Sequence, residues 1–271
     1  MAVLAAACGS GDDAADIPYP LVTPAAEAPD VTSGAGDDET HGGSVQVAAA
    51  SDLHGVLDGL VDDIDEVCQT EIVTVYGSSG QLKEQVLAGA DYGLFLSADA
   101  AFPAELDDEG LVVPGGRASY AVGRLALVTR EGVPPAQAVE DLSSPAYEHI
   151  TIANPGHAPY GVAAREALEN AGIYEDVADR IVLGENVRQS FDYAITGNAD
   201  AGLVAWSLAV ADGVEHVIVD ERLHEPIEQG GAVIRGPGAE LDARCVFQYL
   251  LNPAGQEHLA ANGFERAGVG E

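Results

Sequence analysis

Residues 73–86 read VTVYGSSGQLKEQV. A β-branched run stops at Gly77-Ser78-Ser79-Gly80, and apolar residues at helical spacing follow at once. A strand running straight into a helix is the repeating unit of an α/β fold. Two hydroxyls and two glycines at such a junction admit three readings. They can cap the helix and tighten the turn. They can cradle an anion on the free amides of a helix N-terminus. Or one serine can be a nucleophile.

The same grammar repeats on both sides. SVQVAAAS (44–51) reads as a buried strand, and Leu53, Val56, Leu57, Leu60, Ile64 and Val67 then recur at helical spacing. EIVTVYG (71–77), YGLFLSAD (92–99), SYAVGRLALVTR (119–130), HITIANP (149–155), RIVLG (180–184), DAGLVAWS (200–207), VEHVIVD (214–220) and GGAVIRG (230–236) read as further strands. Helices are expected over 79–89, in AAFPAELDDEG, over 160–171 and over 186–196, with two more at the C-terminus split at Asn252-Pro253. Strands alternating with helices predict a parallel sheet. No repeat of 20–50 residues is present, which argues against a solenoid.

Charge narrows the function. The 271 residues carry 45 acidic side chains against 11 basic ones, with Lys83 the only lysine, for a formal net charge of −34. Such a field repels nucleic acid and anionic membrane surfaces. The acid is spread along the chain, as on a solvated surface suited to high salt. An anion bound here must be held by local donors against the long-range field. No run approaches the roughly 18 apolar residues of a membrane span.

The first residues carry a compartment signal. In MAVLAAACGSGD (1–12), small residues precede Cys8 and Gly-Ser-Gly-Asp follows it. This resembles the end of a bacterial lipoprotein signal, cleaved before Cys8 and lipidated on its thiol. The charged and apolar regions of such a signal are mostly missing, so the true start is expected upstream. Residues 9–44 are rich in Gly, Ala, Asp and Pro, with few large apolar side chains, and read as a disordered acidic tether. The expectation is an extracytoplasmic protein that touches the membrane through its N-terminal lipid only. Cys68 and Cys245 remain, either joined as a disulfide or buried separately as thiols.

Four strand-to-helix junctions share one chemistry: Ala50-Ser51, Gly77-Ser78-Ser79-Gly80, NPGHAPYGVAA (154–164) and GENVRQS (184–190). In an open parallel sheet such junctions gather at one edge, where ligands bind. Singly, Ser51, Ser79 and Asn186 are ordinary N-caps. Together, with no Lys or Arg at their mouths, they read as a neutral anion site.

The segments AAASDL, YGSSGQL, DYGLFLSAD, NPGHAPYG, GENVRQS and DAGLVAWS, in that order, resemble the molybdate-binding (ModA) family of bacterial ABC importers. The resemblance runs from about Val45 to Phe264. It implies the type II periplasmic-binding-protein fold: two α/β lobes, each a mainly parallel sheet flanked by helices. Lobe 1 is expected to take 45–122 and 213–271, and lobe 2 to take 123–212. The resemblance implies that Ser51 faces the ligand with hydroxyl and amide, that Ser79 does so with its hydroxyl, and that Tyr160 and Val187 offer backbone amides. Asp52 is expected to give its amide and turn its carboxylate away from a dianion. Some members carry a ligand tyrosine where this chain has Ala205, and the Tyr160 hydroxyl is the expected substitute. The implied ligand is molybdate or tungstate, held through its oxygens by Ser51, Ser79, Tyr160 and Val187, with no cofactor. The implied partners are an ABC permease and its ATPase, served by a monomer that is not an enzyme.

The chemistry fits that resemblance. Molybdate carries no proton at neutral pH and offers only acceptors, so hydroxyls and amides match it. Phosphate keeps a proton and wants an acceptor, which Asp52 is placed to supply, while sulfate differs from molybdate in size. Both stay as alternatives. A serine hydrolase is a remote one: G-x-S-x-G needs glycine at Gln81, and His157 is better read as a brace for its own loop. The seven histidines show no zinc-site spacing with cysteine.

Overall fold

The computed structural model describes residues 43–236 and 240–268, all within one compact unit of the chain. Cys8 and residues 9–42 of the expected tether lie outside the described residues. In chain order the elements are β1 (Ser44–Ala50), α1 (Val61–Cys68), β2 (Glu71–Gly77), α2 (Ser79–Leu87), β3 (Leu94–Ser97), α3 (Ala101–Asp108), β4 (Val112–Gly123) and β5 (Leu125–Thr129). They continue with β6 (Ile150–Ala153), α4 (Pro159–Asn170), α5 (Tyr174–Val177), β7 (Ile181–Gly184), α6 (Val187–Thr196), β8 (Ala201–Ala205), α7 (Trp206–Ala211) and β9 (His216–Ile218). The chain ends with β10 (Ile227–Ile234), α8 (Glu240–Leu251), α9 (Pro253–Ala261) and β11 (Phe264–Glu265).

The strands form two sheets, ordered β11-β4-β10-β3-β1-β2 and β7-β6-β8-β5-β9. Each is mixed. In the first, β1 runs parallel to β2 and β3, while β10 is antiparallel to β3 and β4. In the second, β6 runs parallel to β7 and β8, while β5 is antiparallel to β8 and β9. The parallel trios come from the strand–helix alternation legible in the sequence. The antiparallel strands are those on which the chain passes from one sheet to the other.

Those passages correct three expectations. The run 119–130 is two strands, because Gly123 pairs with Ile227 in the first sheet and Leu125 with Ala205 in the second. The lobes therefore part at Arg124. Strand β9 lies in the second lobe, not the first, since Ile218 pairs with Ala126 of β5. After β1 the chain forms 3₁₀ turns at Ser51–Leu53 and Asp58–Leu60 before α1, where one helix was expected. Gly55, at φ +80°, interrupts any continuous helix there. Leu53, Val56, Leu60 and Ile64 are still buried, but Val67 is 62% exposed and faces water.

Each lobe has its own core. The first sheet packs Val47, Leu94 and Phe247 on one face, and Leu82, Val86 and Leu106 under α2 and α3 on the other. The second lobe buries Ile150, Leu168, Phe191 and Leu203, and Ala50 and Ala98 of the first lobe join that cluster. Small side chains thus seal the floor between the lobes. Cys68 on α1 and Cys245 on α8 form a disulfide, with Cα atoms 5.7 Å apart and 177 residues between them in sequence. No helix among the described residues is long and apolar enough to cross a membrane.

Candidate functional site

The C-terminal ends of the parallel strands of both sheets meet at one small cavity. It is lined by Ala50, Ser51 and Asp52 after β1, by Gly77, Ser78 and Ser79 after β2, and by Ala98 after β3. From the second lobe come Ala158, Pro159 and Tyr160 at the start of α4 and Val187 at the start of α6. All five residues singled out in the sequence are therefore together. The free volume, about 10 Å³, is little more than a single water needs, so the two lobes lie nearly in contact around these residues. Larger hollows lie at the β9 edge and beside Glu166, the second of them at the starts of α3 and α4.

The local chemistry separates cap from cradle. Ser79 is the first residue of α2, not its cap; the cap position is Ser78, whose side chain makes no capping bond. Ser79 Oγ accepts from the Ala98 amide at 3.0 Å. With its lone pair so used, the hydroxyl proton is free to point elsewhere. Ser51 likewise makes no cap, and its Oγ lies 3.4 Å from the Arg188 amide as acceptor. Both serines are almost fully buried. The amides of Ser79, Tyr160 and Val187 sit in first helical turns, where a helix has no internal acceptor for them. Pro159 starts α4, and Asn186 caps α6 by accepting from Gln189 at 3.0 Å. Asn186 is thus a structural cap, and Val187 carries the free amide.

Asp52 lines the cavity, and its carboxylate is engaged from within the first lobe. Its Oδ2 accepts from Gln229 Nε2 at 2.9 Å, and the residue is fully buried. Gln229 Oε1 in turn accepts from the Tyr120 hydroxyl at 2.9 Å. Burial drives the Asp52 carboxyl up to about 7; the nearby Tyr160 hydroxyl, the amides of Asp52 and Leu53, and Gln229 pull it back. Burial and the charge of Asp52 push the Tyr120 and Tyr160 phenols well above their usual range. The Tyr160 hydroxyl lies against Gly123, where a Cβ would sit only 2.2 Å from it. It therefore reaches the strand between the lobes, beside Asp52, instead of replacing the tyrosine absent at Ala205.

Three participants were not legible as such. Ser78 Oγ lies 2.7 Å from both Nδ1 and the carbonyl oxygen of His157, and the Gly80 amide donates to that same carbonyl at 2.9 Å. His157 therefore reaches across to the other lobe, and does not merely brace its own loop. A serine that gives its proton to a carbonyl is not activated by the imidazole beside it. The third participant is Arg188, in the first turn of α6, a cation at a junction expected to have none. Its guanidinium is held by Asp192 at 2.9 Å and Asp212 at 3.3 Å, so its charge is spent away from the cavity.

Two lobes that meet at a small cavity lined by serine hydroxyls and first-turn amides have the arrangement of a solute-binding protein. Residues 45–265 match the profile of the bacterial extracellular solute-binding proteins, and the chain belongs to that family. The molybdate-binding protein ModA of Rhodobacter capsulatus is 34% identical over 197 residues, covering 71% of this chain and 77% of that protein. The molybdate-binding protein ModA of Azotobacter vinelandii is 32% identical over 225 residues, covering 81% and 89%. The solved structure of the A. vinelandii periplasmic molybdate-binding protein superposes with a TM-score of 0.77 at 28% identity, covering 82% of this chain and 99% of that one. These relatives are binding proteins, and this chain is not an enzyme.

Proposed function

We propose that the protein captures molybdate or tungstate outside the cytoplasm and delivers it to an ABC permease and its ATPase. The observation that carries this reading is the orientation of Ser79. Its oxygen accepts from Ala98, so its proton is left for a guest in the cavity. Around it stand first-turn amides from three junctions, with the one nearby guanidinium, Arg188, held by Asp192 and Asp212. Such a set offers only donors, and a tetrahedral dianion without protons offers only acceptors. Hydrogen bonds to a charged group contribute about 1.5–3 kcal/mol each, so a handful offsets desolvation without a counter-charge.

Phosphate stays as the alternative on a specific observation. Its proton needs an acceptor, and Asp52 Oδ1 makes no hydrogen bond while Oδ2 is bonded to Gln229. Sulfate matches molybdate in charge and differs in bond length, so discrimination rests on the size of the cavity. Lipidation of Cys8 is the reading supported by the small residues before it, and it tethers a protein that acts as a single chain.

Calorimetry with molybdate, tungstate, sulfate and phosphate tests the proposal. Tight one-to-one binding of the first two, unmatched by the others, is expected. Preferential phosphate binding overturns the choice of ligand.

A further inference from the structure

The cavity that the proposed function fills with a dianion has a fully buried carboxylate in its wall and no cation to balance it. Asp52 Oδ2 is bonded to Gln229, while Oδ1 completes no hydrogen bond. The Tyr160 hydroxyl, also buried, completes none either. Asp52 belongs to the first lobe, with Gln229 on β10 and Tyr120 on β4. Its cover comes from the second lobe: Tyr160 on α4 stands beside it, and Ser207 on α7 donates to its carbonyl at 2.7 Å. Opening the lobes removes that cover and lets water reach the carboxylate. Closing them dries it.

The groups around Asp52 supply no positive charge. On its own turn, His54 meets Arg188 Nη1 at 3.4 Å. From β2, Tyr76 donates to Asp58 at 2.9 Å. From β4 and α4 come the neutral phenols Tyr120 and Tyr160, and from β10 the amide Gln229. Arg188 on α6 is held by Asp192 and Asp212, and Arg124, next to Gly123, by Glu221 and Glu265. A dianion in the cavity would add two negative charges near a third in a medium that screens poorly. Neutralising Asp52 is the least costly relief, because a buried carboxylate with no cation beside it takes up a proton in preference to staying charged, and burial here outweighs the hydrogen bonds from Gln229 and its other neighbours.

We infer that Asp52 is a proton-binding site and that the protein captures its oxyanion together with one proton. The inference rests on the oxyanion reading of the cavity. Nothing but a proton transfer is involved: solvent gives H⁺ to Asp52 Oδ1 on closure and takes it back on opening. The sign follows from burial. In water a carboxyl of this kind titrates at about 3.9, and burial pushes that of Asp52 up to about 7 here. The proton's contribution to capture is therefore complete below the lower value and is lost as pH rises through the upper one. Between them, affinity falls up to about tenfold per pH unit.

Titration calorimetry of the intact chain with molybdate, at pH 6 to 9 in buffers of different protonation enthalpy, counts the protons. Uptake of about half a proton at pH 7, rising toward one at pH 6 and vanishing by pH 9, is expected, and the count should drop to zero in Asp52→Asn, whose affinity no longer varies with pH. Binding without uptake overturns the inference and leaves the oxyanion reading standing. Uptake that persists in Asp52→Asn and vanishes in His157→Gln moves the proton to the histidine and overturns it too. If molybdate does not bind at all, the oxyanion reading fails and the inference falls with it. Infrared difference spectra between the molybdate-bound and ligand-free protein locate the proton. A protonated-carboxyl band gained on binding at pH 6, lost by pH 9 and absent from Asp52→Asn supports the site; no such band sinks it.

Discussion

Ser78 and His157 hold the two lobes together from opposite sides of the cleft, with Ser78 Oγ 2.7 Å from both the imidazole and the carbonyl of the histidine. Gly80 adds its amide to the same carbonyl, and Gln81 reaches Glu185 of the second lobe at 2.6 Å. These bonds lie outside the ligand and exist only while the lobes are together. Contacts of that kind favour the closed form and slow release.

Replacement of Gly80 tests the clasp. A Cβ there would stand 2.7 Å from the His157 carbonyl oxygen, and backbone cannot yield as a flexible side chain does. Overpacking of this sort costs about 1–3 kcal/mol. Gly80→Ala is expected to release molybdate about tenfold faster or more, with association and melting temperature little changed. Stopped-flow kinetics separates the two rates.

Ser79→Ala removes a charge-assisted donor and leaves the Ala98 amide without its acceptor. The loss is about 1.5–3 kcal/mol, or roughly 10- to 150-fold in Kd. Calorimetry checks it. Wild-type affinity in this variant would remove Ser79 from the ligand shell.

Cys68 and Cys245 tie helices of the first lobe whose other contacts are with its own core. The double change Cys68→Ser with Cys245→Ser should lower stability by about 2–5 kcal/mol in denaturant titration. The Kd for molybdate should stay within twofold, because neither helix lines the cavity.

Salt should speed capture. A chain of net charge −34 repels a dianion at a distance, and ions screen that repulsion over about 10 Å at 0.1 M and about 3 Å at 1 M. The association rate is expected to rise with ionic strength, the reverse of a site steered by lysines. Trp206, the only tryptophan, neighbours Ser207 at the inter-lobe contact with Asp52 and provides the fluorescence signal.

The sequence told much of this story, for physical reasons that also explain where it went silent. Period-two and period-3.6 apolar patterns located β1, β2, α2, β6, α4 and α6 because those elements bury one face locally. Ser51, Ser79, Tyr160 and Val187 could be marked because a first helical turn has a fixed place relative to its strand. Crossings between sheets leave no such trace. Arg124 sits in an unbroken apolar run, and only strand pairing reveals that its two sides belong to different lobes. His157 was misassigned for the same reason, since its partner Ser78 is 79 residues away. Arg188 stands in the quoted GENVRQS, and its pairing with Asp212, beyond the next strand, was not legible.

The disulfide has a further meaning once the order of the lobes along the chain is considered. The second sheet is drawn from one uninterrupted stretch, β5 to β9, whereas the first needs β1 to β4 from before it and β10 and β11 from after it. A chain made from its N-terminus therefore has a complete second lobe in hand while the first still lacks two strands and two helices. Cys68 must wait for α8, the last but one helix, before it can find Cys245. Its oxidation is thus a covalent record that synthesis and export have run nearly to the end, and it locks the early half of the protein to the late one.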